Sequence, residues 1–202
     1  MTRLLVATTN PGKVREIKDI LEGLDIELGT LADHPGVPEA EETGSTFAEN
    51  ARMKALYYAR ATGLTTVAED SGLAIDALDG APGIHSARYN GNTYIEKFAR
   101  LFGELDRLGA ADSAARFVCA LTLVRDGQVI FETEATVEGR ITRDPRGTNG
   151  FGYDPIFFYP PYGRTLAEVS TDEKLAVSHR GKAFRALREY MVKATAGRPT
   201  ND

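Results

Sequence analysis

The chain has 202 residues, 42% hydrophobic and 26% charged, an ordinary globular composition that lets a single domain over 1–202 bury about 70% of its unfolded surface. Its 24 basic and 29 acidic residues give a net charge of -5. This argues against nucleic acid or an anionic membrane as a main partner, so a polyanionic ligand would have to meet a local basic cluster or a metal ion. The lone cysteine, Cys119, excludes an internal disulfide and a multi-cysteine zinc site; with no run near the length of a membrane span, a cytoplasmic protein is expected.

Leu4-Leu5-Val6-Ala7 reads as a strand, too short for a signal-peptide core. Thr8-Thr9-Asn10-Pro11-Gly12-Lys13 follows as a polar turn, and Val14, Ile17, Ile20, Leu21 and Leu24 fit one face of a helix. A helix N-terminus beside hydroxyls, an amide and an ammonium favours an anion, with phosphate the best candidate. The turn is not a Walker A loop, because Ala7 and Val14 stand where that pattern needs Gly and Ser or Thr. Asn-Pro-Gly can also serve only to reverse the chain.

Thr46 and Glu49 form a capping box that opens a helix running towards Arg60 and stopped by Gly63, with Phe47, Ala51, Ala55, Tyr58 and Ala59 inward. Residues 65–68 and 73–77 read as two short strands flanking a polar corner, Glu69-Asp70-Ser71-Gly72. Thr93 and Glu96 cap a further helix whose apolar face carries Ile95, Phe98, Leu101, Phe102, Leu105 and Leu108. Ala115–Val124 is apolar on both faces, as in a central strand, and Asp126-Gly127 joins it as a hairpin to an alternating strand over 129–137. A glycine-rich loop at 143–154 leads to a brief strand over 156–158. Near the C-terminus, Ser178 precedes a helix that places His179 and Arg180 in its first turn and Ala183, Phe184, Leu187 and Met191 on one face.

Two acidic groups, Glu41-Glu42 and Glu69-Asp70, come from separate segments with no soft ligand nearby. Such carboxylates suit a hard ion like Mg²⁺ that keeps waters and shares phosphate oxygens, and one of them could take a proton from an attacking water. Lys54 falls one turn from Asn50 on its helix. Phe151-Gly152-Tyr153-Asp154-Pro155 offers rings that can stack on a base and a carboxylate that can accept from a base N–H. His179 and Arg180 are cationic donors placed against the helix dipole, a local rule broken at two adjacent positions.

Taken together, six spaced segments resemble the inosine triphosphate pyrophosphatase family: residues 7–13, 41–55, 70–73, 80–84, 150–155, and Lys174 with 178–181. The resemblance runs from Leu4 to about Leu187. It implies hydrolysis of non-standard purine nucleoside triphosphates (ITP, dITP, XTP) to the monophosphate and pyrophosphate. It implies an α/β fold with an elongated central mixed β-sheet flanked by helices, two lobes with the active-site cleft between them, and a homodimer.

Carried over by residue, the resemblance implies that Thr8, Thr9, Asn10, Pro11, Gly12 and Lys13 contact the triphosphate, that Lys54 and Lys174 lend it positive charge, and that Ser71 touches the nucleotide. It implies Mg²⁺ at Glu41 and Asp70, with Asp70 also the proton acceptor, and a base pocket of Phe151, Gly152, Tyr153, Asp154, His179 and Arg180. His85 stands where many relatives are expected to carry tyrosine. Two alternatives remain at this level: the related septum-inhibitor-like pyrophosphatases, which prefer methylated or pyrimidine nucleotides, and a sensor that binds a nucleotide without turnover.

Overall fold

The computed structural model describes residues 2–89 and 91–196. Strand β1 (Thr2–Val6) leads through the polar turn into helix α1 (Pro11–Leu21). Asn10 caps this helix, its side-chain oxygen accepting from the N–H groups of Gly12 at 2.9 Å and Lys13 at 3.2 Å. The helix stops at Leu21, so Leu24 falls outside the face assigned to it from sequence. Gly23, at φ 79, turns the chain into a strand that sequence reading missed, β2 (Ile26–Thr30). Helix α2 (Phe47–Thr62) has both halves of its Thr46/Glu49 capping box and ends on left-handed Gly63, as the sequence predicts.

The expected pair of short strands around a polar corner is instead one continuous strand, β3 (Thr65–Ile75). Glu69 and Asp70 lie in its buried middle, because cationic and amide partners satisfy their carboxylates there. Helix α3 (Tyr94–Arg107) carries the Thr93/Glu96 capping box and buries Phe98, Leu101 and Leu105. Ile95 and Leu108, expected on that face, are 80% and 60% exposed: Ile95 is the second residue of the helix and Leu108 is its C-cap, beyond the last helical residue.

Strands β4 (Ala114–Arg125) and β5 (Gln128–Ile141) meet at Asp126-Gly127, whose φ values of 53 and 74 are those a tight two-residue hairpin needs. Strands β6 (Phe157–Tyr159) and β7 (Arg164–Thr165) follow, then α4 (Thr171–Val177), which sequence reading missed, and α5 (His179–Ala196).

The seven strands form one mixed sheet in the order β2-β1-β3-β4-β5-β6-β7. β1 pairs in parallel with β2 and β3, whereas β6 pairs antiparallel with β5 and β7. Contacts divide the chain into two units, residues 1–70, 120–135 and 180–202, and residues 71–119 and 136–179.

The first unit has a core of Leu5, Ala7, Ala55, Tyr58, Ala68 and Val124, in which α2 covers one face of the β1 and β3 strands. The second has a larger, more aromatic core that includes Leu73, Phe98, Leu101, Phe117, Tyr153 and Phe157. Each fully buried large side chain in such a core is worth about 1.5–3 kcal/mol. Among the described residues no helix is long and apolar enough to cross a membrane.

Candidate active site

In the first unit the parallel pairing of β1 with β3 ends at Val6 and Val67. Glu69 and Asp70 therefore extend past the carboxyl end of β1, beside the turn that opens α1. In open α/β sheets this end of parallel strands is where ligands gather. Alternation along β3 sends the two acids to opposite faces: Asp70 goes with Ala68 to the α2 side, and Glu69 to the side of α1 and α5.

On the α2 side, Lys54 sets its ammonium between two carboxylates, 2.5 Å from Glu42 and 3.3 Å from Asp70. Asn50, one turn before Lys54 and 2% exposed, donates to Asp70 at 3.2 Å. Its carbonyl oxygen accepts from the Gly44 N–H at 2.8 Å, which ties the acidic loop to the strand. A side chain at Gly44 would strike Asn50 and Glu49, so the loop closes on α2 only with glycine there.

Burial pushes the Asp70 carboxyl above its ordinary range, and the Glu42 and Glu69 charges add to the push against Lys54 and Asn50. Burial works against the Lys54 charge as well, but Asp70 and Glu42 outweigh it and raise that pKa. The ammonium keeps its proton, and the Asp70 carboxylate is a stronger base than an ordinary aspartate.

On the other side, Lys13 lies 2.7 Å from Glu69, and Arg180 at the start of α5 bridges Glu16 at 2.8 Å and Glu69 at 3.2 Å. Burial alone would raise the Glu69 carboxyl, yet the Arg180 and Lys13 charges overcome it and hold that group well below the usual carboxylate range.

The second unit gathers the glycine loop. Asp154, 2% exposed, accepts from the Lys174 ammonium at 2.6 Å and from the Phe151 N–H at 2.7 Å. That ammonium also stands 4.7 Å from the centre of the Phe151 ring. Gly150 holds φ 73, and a Cβ there would lie 2.2 Å from the Asp154 carboxylate, so only glycine permits this turn. Tyr153 packs edge-on to Tyr94 and donates to the Ser86 carbonyl at 2.9 Å. His179 is 5% exposed and stacks on Phe117 at 4.9 Å.

The structure thus brings Lys13, Lys54, Asp70 and Arg180 into one charged cluster, and Phe151, Tyr153, Asp154 and Lys174 into another. Glu41 is solvent-exposed, and it is its neighbour Glu42 that reaches Lys54. Thr9 and Pro11 are exposed on the turn, Thr8 accepts from the Asn10 N–H at 3.2 Å, and Ser71 is half-buried in β3. Two of the helix N–H groups offered to an anion by sequence are taken by Asn10, so charge at this turn rests on Lys13.

Sequence reasoning missed Glu16, Glu42's pairing, Asn50's tie and the internal role of Glu69. Glu16 did leave a signal, since it lies between Lys13 and Ile20 on the buried stripe of α1, where an unpaired acid would not be tolerated.

The chain is similar along most of its length to several known proteins. A relative from Geobacter sulfurreducens named dITP/XTP pyrophosphatase is 47% identical over 193 residues, covering 95% of this chain and 97% of its own. One of the same name from Synechocystis is 50% identical over 188 residues, covering 93% of this chain and 94% of its own.

Among solved structures, a HAM1 protein from Coxiella burnetii superposes with a TM-score of 0.88 at 40% identity, covering 96% of this chain and all of that one. A nucleoside-triphosphatase / dITP/XTP pyrophosphatase from Mycobacterium abscessus gives 0.73 at 43% identity, with 92% and 97% covered. The model of the Ham1 family matches residues 4–190. With the mixed sheet in place and the match running nearly end to end, the chain belongs to the Ham1 family.

Proposed function

We propose that the chain is a nucleoside triphosphate pyrophosphatase that hydrolyses ITP, dITP and XTP to the monophosphate and pyrophosphate, removing non-standard purines from the nucleotide pool. The observation that carries this reading is the end-to-end match to relatives bearing the dITP/XTP pyrophosphatase name. The charged cluster beside the α1 turn supports it.

In that cluster Glu16, Glu42, Glu69 and Asp70 face Lys13, Lys54 and Arg180, one negative charge in excess. A triphosphate adds several more, so a hard divalent cation is the natural companion of the substrate. The donors fit Mg²⁺. They are carboxylate oxygens that already converge on a cationic centre at Lys54. Among the described residues no three acidic, His or Cys side chains form a cage of their own, which suits an ion that leans on water and phosphate. Asp70 and Glu41, with Glu42 beside it, would hold the ion, which when bound offsets charge on the phosphates.

The remaining chemistry belongs to the chain. Asp70, raised above its ordinary range and fixed by Asn50, accepts the proton of the water that attacks the α-phosphorus. The turn from Thr8 to Lys13 binds the triphosphate, Ser71 touches the nucleotide, and Lys13, Lys54 and Lys174 stabilise the charge that grows on the departing pyrophosphate. Phe151 offers a face for the purine, and Gly152, Tyr153, Asp154, His179 and Arg180 shape its pocket. A donor aimed at the 6-oxo group is left facing another donor when ATP enters, which discriminates strongly. The homodimer implied by the family resemblance and the cytoplasmic location expected from composition belong to the same proposal.

The test is release of pyrophosphate from ITP with Mg²⁺ present. Equimolar pyrophosphate and IMP are expected; no turnover, or release of orthophosphate in its place, overturns the reading.

A further inference from the structure

We propose that Lys97 is a positioning residue for the purine pocket: it ties the turn at Ser86 and Ala87 to the ring of Tyr94, and so fixes Tyr153 and Gly152 where the base is held. The inference rests on the reading above that residues 151–154 take the base.

Lys97 lies one turn after Tyr94 on α3, so the two share a face of that helix. Its ammonium donates to the Ala87 carbonyl at 2.5 Å and stands 4.7 Å from the centre of the Tyr94 ring. The neighbouring Ser86 carbonyl accepts from the Tyr153 hydroxyl at 2.9 Å, and the Tyr153 ring meets Tyr94 edge-on at 5.4 Å. These contacts close a circuit that starts and ends at Lys97. Gly152 lies against it, since a Cβ there would stand 3.4 Å from the Tyr94 hydroxyl, and the place of Tyr94 therefore bounds the glycine turn.

The electrostatics single Lys97 out. The residue is 5% exposed, yet among the described residues no carboxylate lies within ion-pair distance of its ammonium. Lys174, as deeply buried in the same unit, has Asp154 against it at 2.6 Å. Burial holds the Lys97 pKa below the ordinary lysine range, and no opposing charge lifts it. A carbonyl and a ring return only part of the hydration that a buried ammonium gives up, so an apolar side chain of similar length would be the more stable choice here. Ala87 is exposed, and its carbonyl can turn to water instead. A group that stability does not favour, set where two walls of a pocket meet, is kept for what it positions. What it positions is aromatic shape around a base and not the reacting phosphorus, so binding and selectivity should respond to its loss while chemistry does not.

The experiment compares Lys97→Met with the wild type on ITP and on ATP as a poor substrate, alongside thermal unfolding. The expected result is a KM for ITP raised about fivefold or more with kcat within about twofold, a lower ITP to ATP ratio of kcat/KM, and a thermal midpoint equal to or above that of the wild type. A lower midpoint, failure to fold included, overturns the inference, as does an unchanged ratio or a loss confined to kcat. Tyr153→Phe keeps the ring but removes the tie to Ser86, which opens the same circuit at another point. Its loss of ITP selectivity should not add to that of Lys97→Met in the double variant; additive losses mean that the two residues act separately and sink the proposal.

A wild type that does not turn over ITP removes the proposed function, and calorimetry with IMP and AMP as probes then reads the inference by itself. The wild type should prefer IMP, and Lys97→Met should lose most of that preference. No preference in the wild type, or one that survives in the variant, overturns it.

Discussion

The unit of residues 1–70, 120–135 and 180–202 keeps its buried charges in a chain of shared partners: Lys54 serves both Glu42 and Asp70, while Glu69 serves both Lys13 and Arg180. The unit of residues 71–119 and 136–179 handles the same difficulty with one close pair, Asp154 and Lys174, set against Phe151 and clamped by a glycine turn. Shared partners leave a group able to exchange one contact for another, as a ligand with several charges requires. A close pair set against a ring and a glycine turn holds one geometry, as the proposed recognition of a flat base requires.

The sharpest way to break this contrast is at Asp70. Asp70→Asn keeps the hydrogen bond from Asn50 within reach but removes the base, so turnover should fall by about a hundredfold or more with the thermal midpoint little changed. Near-normal turnover would remove the proton-acceptor role and leave the cluster a purely electrostatic device.

The rigid pair should show itself in stability. Lys174→Ala takes the ammonium away from buried Asp154, and denaturant unfolding should record a loss of about 3–5 kcal/mol. Replacing both members, Lys174→Met with Asp154→Asn, should cost clearly less than the single change. Equal costs would mean that the pair acts through packing and not through charge.

A milder effect is expected on the acid side. The Glu69 carboxyl is depressed by Arg180 and Lys13 against the opposing effect of burial. Its contribution to stability is therefore present above the ordinary glutamate value of 4.5 and is lost as pH falls through the lower folded value. Unfolding free energy measured below about pH 5 should drop steeply in the wild type and less steeply in Glu69→Gln. Parallel slopes would show that Glu69 does not hold its charge in the folded state. The smallest effect should come from the exposed Arg52–Glu132 pair in the first unit, where Arg52→Ala should cost no more than about 1 kcal/mol.

Local chemistry made much of this legible beforehand. The capping boxes at Thr46 and Thr93 are written in side chains that satisfy their own helix ends, and both helices begin where those residues say. The Asp126-Gly127 hairpin was legible for the same reason.

What local reasoning could not deliver was any feature settled by a distant partner. Glu69 and Asp70 look like a solvated corner until Lys13, Lys54 and Arg180, the last 110 or more positions away, make them fit to be buried in a strand. Nothing nearby in sequence announces that Glu16, 164 positions earlier, binds Arg180. Strand β2 and helix α4 were missed because each is short, five and seven residues, with too few repeats of a pattern to be read.

The unbroken run of β3 through Glu69, Asp70 and Ser71 has a further consequence for how this protein can change over time. Its alternation assigns successive side chains to opposite faces, so inserting or deleting one residue upstream within the strand would exchange the surroundings of the two acids and undo both sets of partners at once. The tip at Asp126-Gly127 bears no such constraint and could lengthen freely. Length variation among descendants of this chain should collect at that tip and spare the strand.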